Sequence, residues 1–178
     1  MEKKYTVTRF EKDISIMELL EKYFDYEFTH EKCRECPGYQ GTWSCPPFDF
    51  DPKDFLEQYS NFHLVVDKID NSGASSVEEA QEWLFAEKER YDREMREMEI
   101  DHPGYYGMAA QECQACKKCA RLSGHPCVHP DIMRYGLEAL GCFPVQIVHD
   151  KLGFDIIWSD GNSIPEYYLL VAGILMKE

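Results

Sequence analysis

The sequence predicts an α+β fold: a mostly antiparallel sheet with helices packed on it and two cysteine-rich loops, residues 29–52 and 111–130, all in one domain spanning 1–178. Three observations carry this expectation. Strand-like runs are separated by helix-like ones, and the last two strand-like runs read as a hairpin. One long amphipathic segment has a clear start signal. Two aperiodic stretches rich in Gly, Pro and Cys interrupt the periodic ones. A chain of 178 residues is long enough for one core and short for two.

Tyr5 to Phe10 alternates as a short strand does, and Ile14 to Phe24 carries Ile16, Leu19, Leu20 and Tyr23 near helical spacing. Thr29 to Pro52 has no period and reads as an irregular loop fixed by something other than backbone ladders. Phe62 to Ile69 is a β-branched run suited to a buried strand, broken by Asn71, Ser72 and Gly73. Ser76 with Glu79 forms a capping box ahead of Val77, Ala80, Leu84, Tyr91, Met95 and Met98, one face of a long helix. Its outer face offers Glu89–Arg93 and Asp92–Arg96 as i,i+4 ion pairs. His102-Pro103-Gly104 ends that helix, and Tyr105 to Ala109 reads as a strand. Asp131 to Leu140 has the pattern of a short helix closed by Gly141. Pro144 starts another helix capped by Gly153, with a strand over Val145 to His149 as the alternative. Phe154 to Trp158 and Tyr167 to Leu175 read as strands joined by the turn-rich SDGNSIP.

Thirty-three acidic against nineteen basic side chains give a formal net charge of −14, which opposes binding to a phosphate backbone, so nucleic acid is not an expected partner. The longest apolar run, Tyr167 to Met176, is about half of the ~20 residues a membrane-spanning helix needs, so no membrane partner is expected either. MEKKYTVTRFEKDIS has no apolar segment after its lysines, which points to a cytoplasmic chain with reduced thiols. In that setting eight cysteines are high usage for the chain's length, and reduced thiols are their expected starting state.

The downstream run is CQACKKCARLSGHPCVHP, with Cys113, Cys116, Cys119 and Cys127 spaced C-x2-C-x2-C-x7-C. A thiolate every third residue places three sulfurs on three corners of an iron–sulfur cube, and the turn through Ser123 and Gly124 returns Cys127 to the fourth. Lys117, Lys118 and Arg121 would offset the cluster's negative charge, or simply face solvent. Structural zinc is the alternative, though it usually takes its thiolates as two separated pairs, and disulfides are third in order.

The upstream set is Cys33, Cys36 and Cys45, three thiols within thirteen residues, stiffened by Pro37, Pro46 and Pro47. Trp43, Phe48 and Phe50 either shield a cluster there or form a small apolar cluster under the loop. One corner of a cube is then unassigned. Cys142 and His30 are candidates for it, against a buried thiol and a surface imidazole, and an open coordination position is the third reading. His125 and His129 flank Cys127 as further ligands, as donors to cluster sulfur or as exposed loop residues.

With these motifs, the chain resembles the predicted metal-binding proteins catalogued as domain of unknown function 2284, from anaerobic bacteria and archaea. The likeness lies in CRECPGYQGTWSCPPFDFD, similar to C-x2-C-P-x-Y followed by WSCPP, and in the run from Cys113 to Pro130, after which Met133 to Gly141 resembles an M-E-x-x-G segment. The resemblance implies metal binding at Cys33, Cys36, Cys45, Cys113, Cys116, Cys119 and Cys127, and it leaves out Cys142, where an aliphatic residue is expected after the glycine. It implies no settled reaction. The resulting expectation is an iron–sulfur protein with one or two clusters, [4Fe-4S] in type, in an electron-transfer or redox-accessory role with a redox partner protein. A zinc-stabilised interaction module and an enzyme using a three-cysteine cluster are the alternatives.

Overall fold

A computed structural model describes residues 4–177. The elements run β1 (Val7–Ser15), α1 (Ile16–Lys22), α2 (Tyr26–Glu35), α3 (Pro52–Leu56), β2 (Asn61–Asp70), α4 (Val77–Asp101), β3 (Tyr106–Gly107), α5 (Pro144–Leu152) and β4 (Tyr167–Met176). The four strands form one antiparallel sheet in the order β1-β2-β4-β3. The fold is α+β, as the sequence predicts.

β2 is apolar at successive positions because both of its faces are covered. Phe62, Leu64, Val65, Val66 and Ile69 are fully buried, each burial worth roughly 1.5–3 kcal/mol. On one face lies α4, whose Tyr91 hydroxyl donates to the Val65 carbonyl at 2.8 Å and whose Arg90 reaches the buried Asp67. On the other, Phe10, in register with Val66, meets the ring of Phe154 just after α5, with centroids 4.8 Å apart. A side chain on Gly107 would collide with the Met95 carbonyl, so glycine lets β3 run against α4.

Ser76 caps α4 by accepting from the Glu79 amide at 3.2 Å. The reciprocal half of the expected box differs: the Glu79 carboxylate accepts from the amide and hydroxyl of Ser75. Neither expected i,i+4 pair forms among the described residues. Asp92 turns inward, taking Lys88 at 2.6 Å and the Ala110 amide at 3.0 Å, because the loop after β3 needs an acceptor there.

Four other expectations are corrected. β1 continues to Ser15, paired with β2 throughout, where alternation alone suggests an end at Phe10. The stretch Thr29 to Pro52 is not irregular from its start: its first seven residues belong to α2. Asp25 caps that helix through the Phe28 amide, and the turn formers begin only at Pro37. Asp131 to Leu140 is two turns instead of a helix. Its backbone is committed elsewhere, Tyr135 O accepting from Ala109 N and Tyr135 N donating to the Tyr106 hydroxyl. Phe154 to Trp158 is not a strand and makes no hairpin with β4, because β4 has β2 and β3 on its two edges. α5 forms from Pro144, with Gly153 as its left-handed cap.

Candidate metal centre

The two cysteine-rich segments leave the same end of the fold and meet. Ala109 and Tyr135 hold the downstream loop to β3, and a ring cluster of Phe48, Phe50, Phe55, Tyr106 and Tyr135 lies beneath the upstream one. Phe48 stacks on Phe50 at 4.9 Å and packs edge-on to Tyr135 at 5.0 Å. These two rings are the apolar floor of the loops.

Five polar contacts join the loops directly. The amide of Cys113 donates to Ser44 Oγ at 2.9 Å, and Ser44 is 1% exposed. The indole of Trp43 donates to the His125 carbonyl at 3.0 Å. Arg121 supplies the remaining three, donating to the carbonyls of Thr42 at 2.7 Å, Cys45 and Pro47. Its guanidinium also lies over the Trp43 ring, 5.2 Å from the centroid. Arg121 is therefore a clamp between the loops, while Lys117 and Lys118 face solvent.

All four downstream thiols, Cys113, Cys116, Cys119 and Cys127, line one narrow recess together with Thr42, Trp43, His129 and Met133. Trp43 comes from the upstream loop, so each loop completes the other's surroundings. Burial pushes the Cys113 thiol up, with Cys127 and Cys116 adding to the shift, while the Ala115 amide and Lys88 oppose it. Lys88 is 1% exposed and tied to Asp92. On the other side of Cys113 a cleft of about 490 Å³ opens between α4 and Ile132–Arg134, with Lys88 in its wall.

Upstream, Cys33 stands in the last turn of α2, Cys36 caps it, and Cys45 follows. Burial raises the Cys33 thiol to about 11, and Glu138, Cys45 and Cys36 each push in the same direction. Hydrogen bonds already point at sulfur here: Gly38 N donates to Cys36 Sγ and Thr42 Oγ1 meets Cys45 Sγ, both at 3.4 Å. Gln40 and Gln111 hold left-handed backbone at φ 58° and 66°, a strain that only loops fixed by their surroundings retain.

The remaining candidates have other roles in this fold. Cys142 is fully buried in the core and its backbone bridges to Phe24. His30 bonds Tyr39 through Nε2 at 2.9 Å and stacks on Tyr26. His125 is exposed, and its carbonyl takes the Trp43 bond. Ser44 and Arg121 are no ligand candidates by residue type, and long-range contacts bring them to the site.

All eight cysteines are free thiols. Among the described residues no three His, Cys, Asp or Glu side chains converge on a point suited to a single ion. The donor set, thiolates with amide, hydroxyl and guanidinium groups around them, suits a soft-ligand metal centre. No helix is long and apolar enough to cross a membrane among the described residues. No curated protein and no solved structure matches the chain. A family model does match, over residues 21–176, and the chain belongs to that family, described as predicted metal-binding protein (DUF2284).

Proposed function

We propose that this chain is an iron–sulfur protein that holds [4Fe-4S] clusters at both cysteine sets and serves as a one-electron carrier or redox accessory to a partner protein. The observation that carries this reading is the recess lined by Cys113, Cys116, Cys119 and Cys127. A cube takes its thiolates at separate corners, and three cysteines at a repeat of three suit that better than zinc's usual two separated pairs.

When bound, such a cluster supplies reversible one-electron transfer. The chain's own residues do the rest. Cys113, Cys116, Cys119 and Cys127 hold one centre; Cys33, Cys36 and Cys45 hold the other. Amides at Gly38 and Ala115 direct N–H groups at sulfur, which stabilises thiolate charge. Trp43 covers the downstream set and limits water there. Anaerobic purification with iron and acid-labile sulfide analysis tests the reading. Iron and sulfide in equal amounts support it, while stoichiometric zinc without sulfide replaces it with a zinc-stabilised interaction module.

A catalytic second reading is favoured by the cleft beside Cys113, wide enough for a small substrate and walled by Lys88, Asp92, Arg96 and Arg134. It predicts that a small molecule entering the cleft perturbs the downstream centre's absorption. An unchanged spectrum across a metabolite panel leaves the carrier role.

A further inference from the structure

Charge is spread unevenly along this chain. Residues 36–48 hold no charged side chain and residues 113–130 hold three cations and no carboxylate, so all thirty-three acidic side chains lie outside the two stretches. Carboxylates resume at once on the flanks, at the exposed Glu35, Asp49, Glu112 and Asp131. The stretches meet through Ser44, Trp43 and Arg121 and so form one continuous face. In a chain of net charge −14 that face differs in sign from its surroundings.

Its cations are free to meet another molecule. Lys117 and Lys118 are exposed, and neither pairs with a carboxylate among the described residues, whereas Lys22, Lys32, Lys53 and Lys151 each hold one. Arg121 donates to carbonyls, which leaves its charge uncancelled. In the same loop Leu122 and Val128 are 59% and 62% exposed, and they supply the apolar element that the middle of a docking patch buries. Lys117 is next to Cys116 and Lys118 next to Cys119, about 3.8 Å apart at Cα. A molecule seated on the lysines therefore lies beside the downstream centre.

We propose that this face docks a protein electron carrier that presents an acidic patch with an apolar centre, and that one electron crosses there between the carrier's cofactor and the downstream centre. The electron step rests on the iron–sulfur reading. Nucleic acid is an extended polyanion and would meet the chain's net −14 as well as the lysines, whereas a protein's acidic patch is local and meets the lysines first. The flanking carboxylates repel an acidic patch set out of place, which fixes where it sits. The average charge of the chain would select a basic carrier instead. The two cases differ in the sign of their salt dependence.

The test reduces the full chain, reconstituted anaerobically with iron and sulfide, and follows its oxidation by an acidic blue-copper protein in stopped flow. Copper(II) gains the one electron that the cluster loses. Ionic strength runs from about 0.1 to about 1 M, where the Debye length is about 10 to 3 Å and only charges near the contact act. The rate is expected to fall as salt rises, and to drop about tenfold or more at the low-salt end when Lys117→Glu is combined with Lys118→Glu. Lys12→Glu, exposed on β1 at the sheet edge opposite β3, is expected to match the parent. Zero-length carbodiimide coupling to the same blue-copper protein needs no reducible cluster, and the joined peptides are expected to contain Lys117 or Lys118. A rate that rises with salt, a double variant that matches the parent, or cross-links only at other lysines overturns the docking face and leaves the iron–sulfur reading intact. A parent without acid-labile sulfide overturns that reading and the electron step with it.

Discussion

The amide of Cys113 donates to the buried hydroxyl of Ser44, joining two cysteine loops that lie 69 positions apart in sequence. Ser44 also meets Thr42 Oγ1 at 2.8 Å, and Thr42 Oγ1 reaches Cys45 Sγ, so a chain of polar contacts runs from the downstream cysteines to the upstream ones. What happens at one set is mechanically connected to the other.

Removing that hydroxyl with Ser44→Ala leaves the Cys113 amide without its protein acceptor. An unsatisfied buried donor costs roughly 1–3 kcal/mol. Urea denaturation of the metal-free chain is expected to show a lower midpoint with an unchanged slope. The loaded chain is expected to lose downstream metal faster.

Arg121→Met removes the clamp on Thr42, Cys45 and Pro47 and the cation over Trp43. Hydrogen bonds to charged groups contribute about 1.5–3 kcal/mol each at most, and only part is regained from water. Metal release to a chelator is expected to quicken by about tenfold or more. Lys117→Met, in the same loop but facing solvent, is expected to leave the rate unchanged.

Asp67 sits 1% exposed on β2 and takes Arg9 through both carboxylate oxygens, at 2.7 and 2.8 Å, as well as Arg90. Asp67→Ala removes the buried carboxylate that both guanidinium groups share and leaves Arg9 with Glu94 and Arg90 with Glu87 and Glu94. The expected loss is about 1–3 kcal/mol, read as a drop in the denaturation midpoint, because charge-assisted hydrogen bonds are lost while both cations keep other carboxylates.

Alkaline pH acts on the metal-free protein through Cys33. Its thiol is raised to about 11 in the folded state, from an ordinary 9.0, so between these pH values the unfolded chain has lost a proton that the folded one still holds. Stability from this group is full below pH 9 and falls as pH rises toward 11. A denaturation series across that range is expected to show the fall, shallower in Cys33→Ser.

Much of the fold was legible in the residues themselves. The β-branched run at Phe62–Ile69 and the Ser76 start signal read out β2 and α4 because local preference and burial agree there. Asp131–Leu140 misled because its apolar spacing is helical while its backbone groups are taken by Ala109 and Tyr106 from another segment. Phe154–Trp158 misled because β-like composition reports burial potential, and no strand edge is left for it to pair with. At the candidate centre the cysteine spacings were plain. The meeting of the loops was not, since Ser44 and Arg121 gain their roles only from contacts far along the chain.

The most direct measurement is iron, zinc and acid-labile sulfide content per chain after oxygen-free purification, with absorption recorded on the same sample. The account predicts iron and sulfide in equal proportion, a brown protein with broad thiolate-to-iron absorption, and little zinc. A colourless chain with zinc and no sulfide, or one with no metal and every thiol open to alkylation, would contradict it.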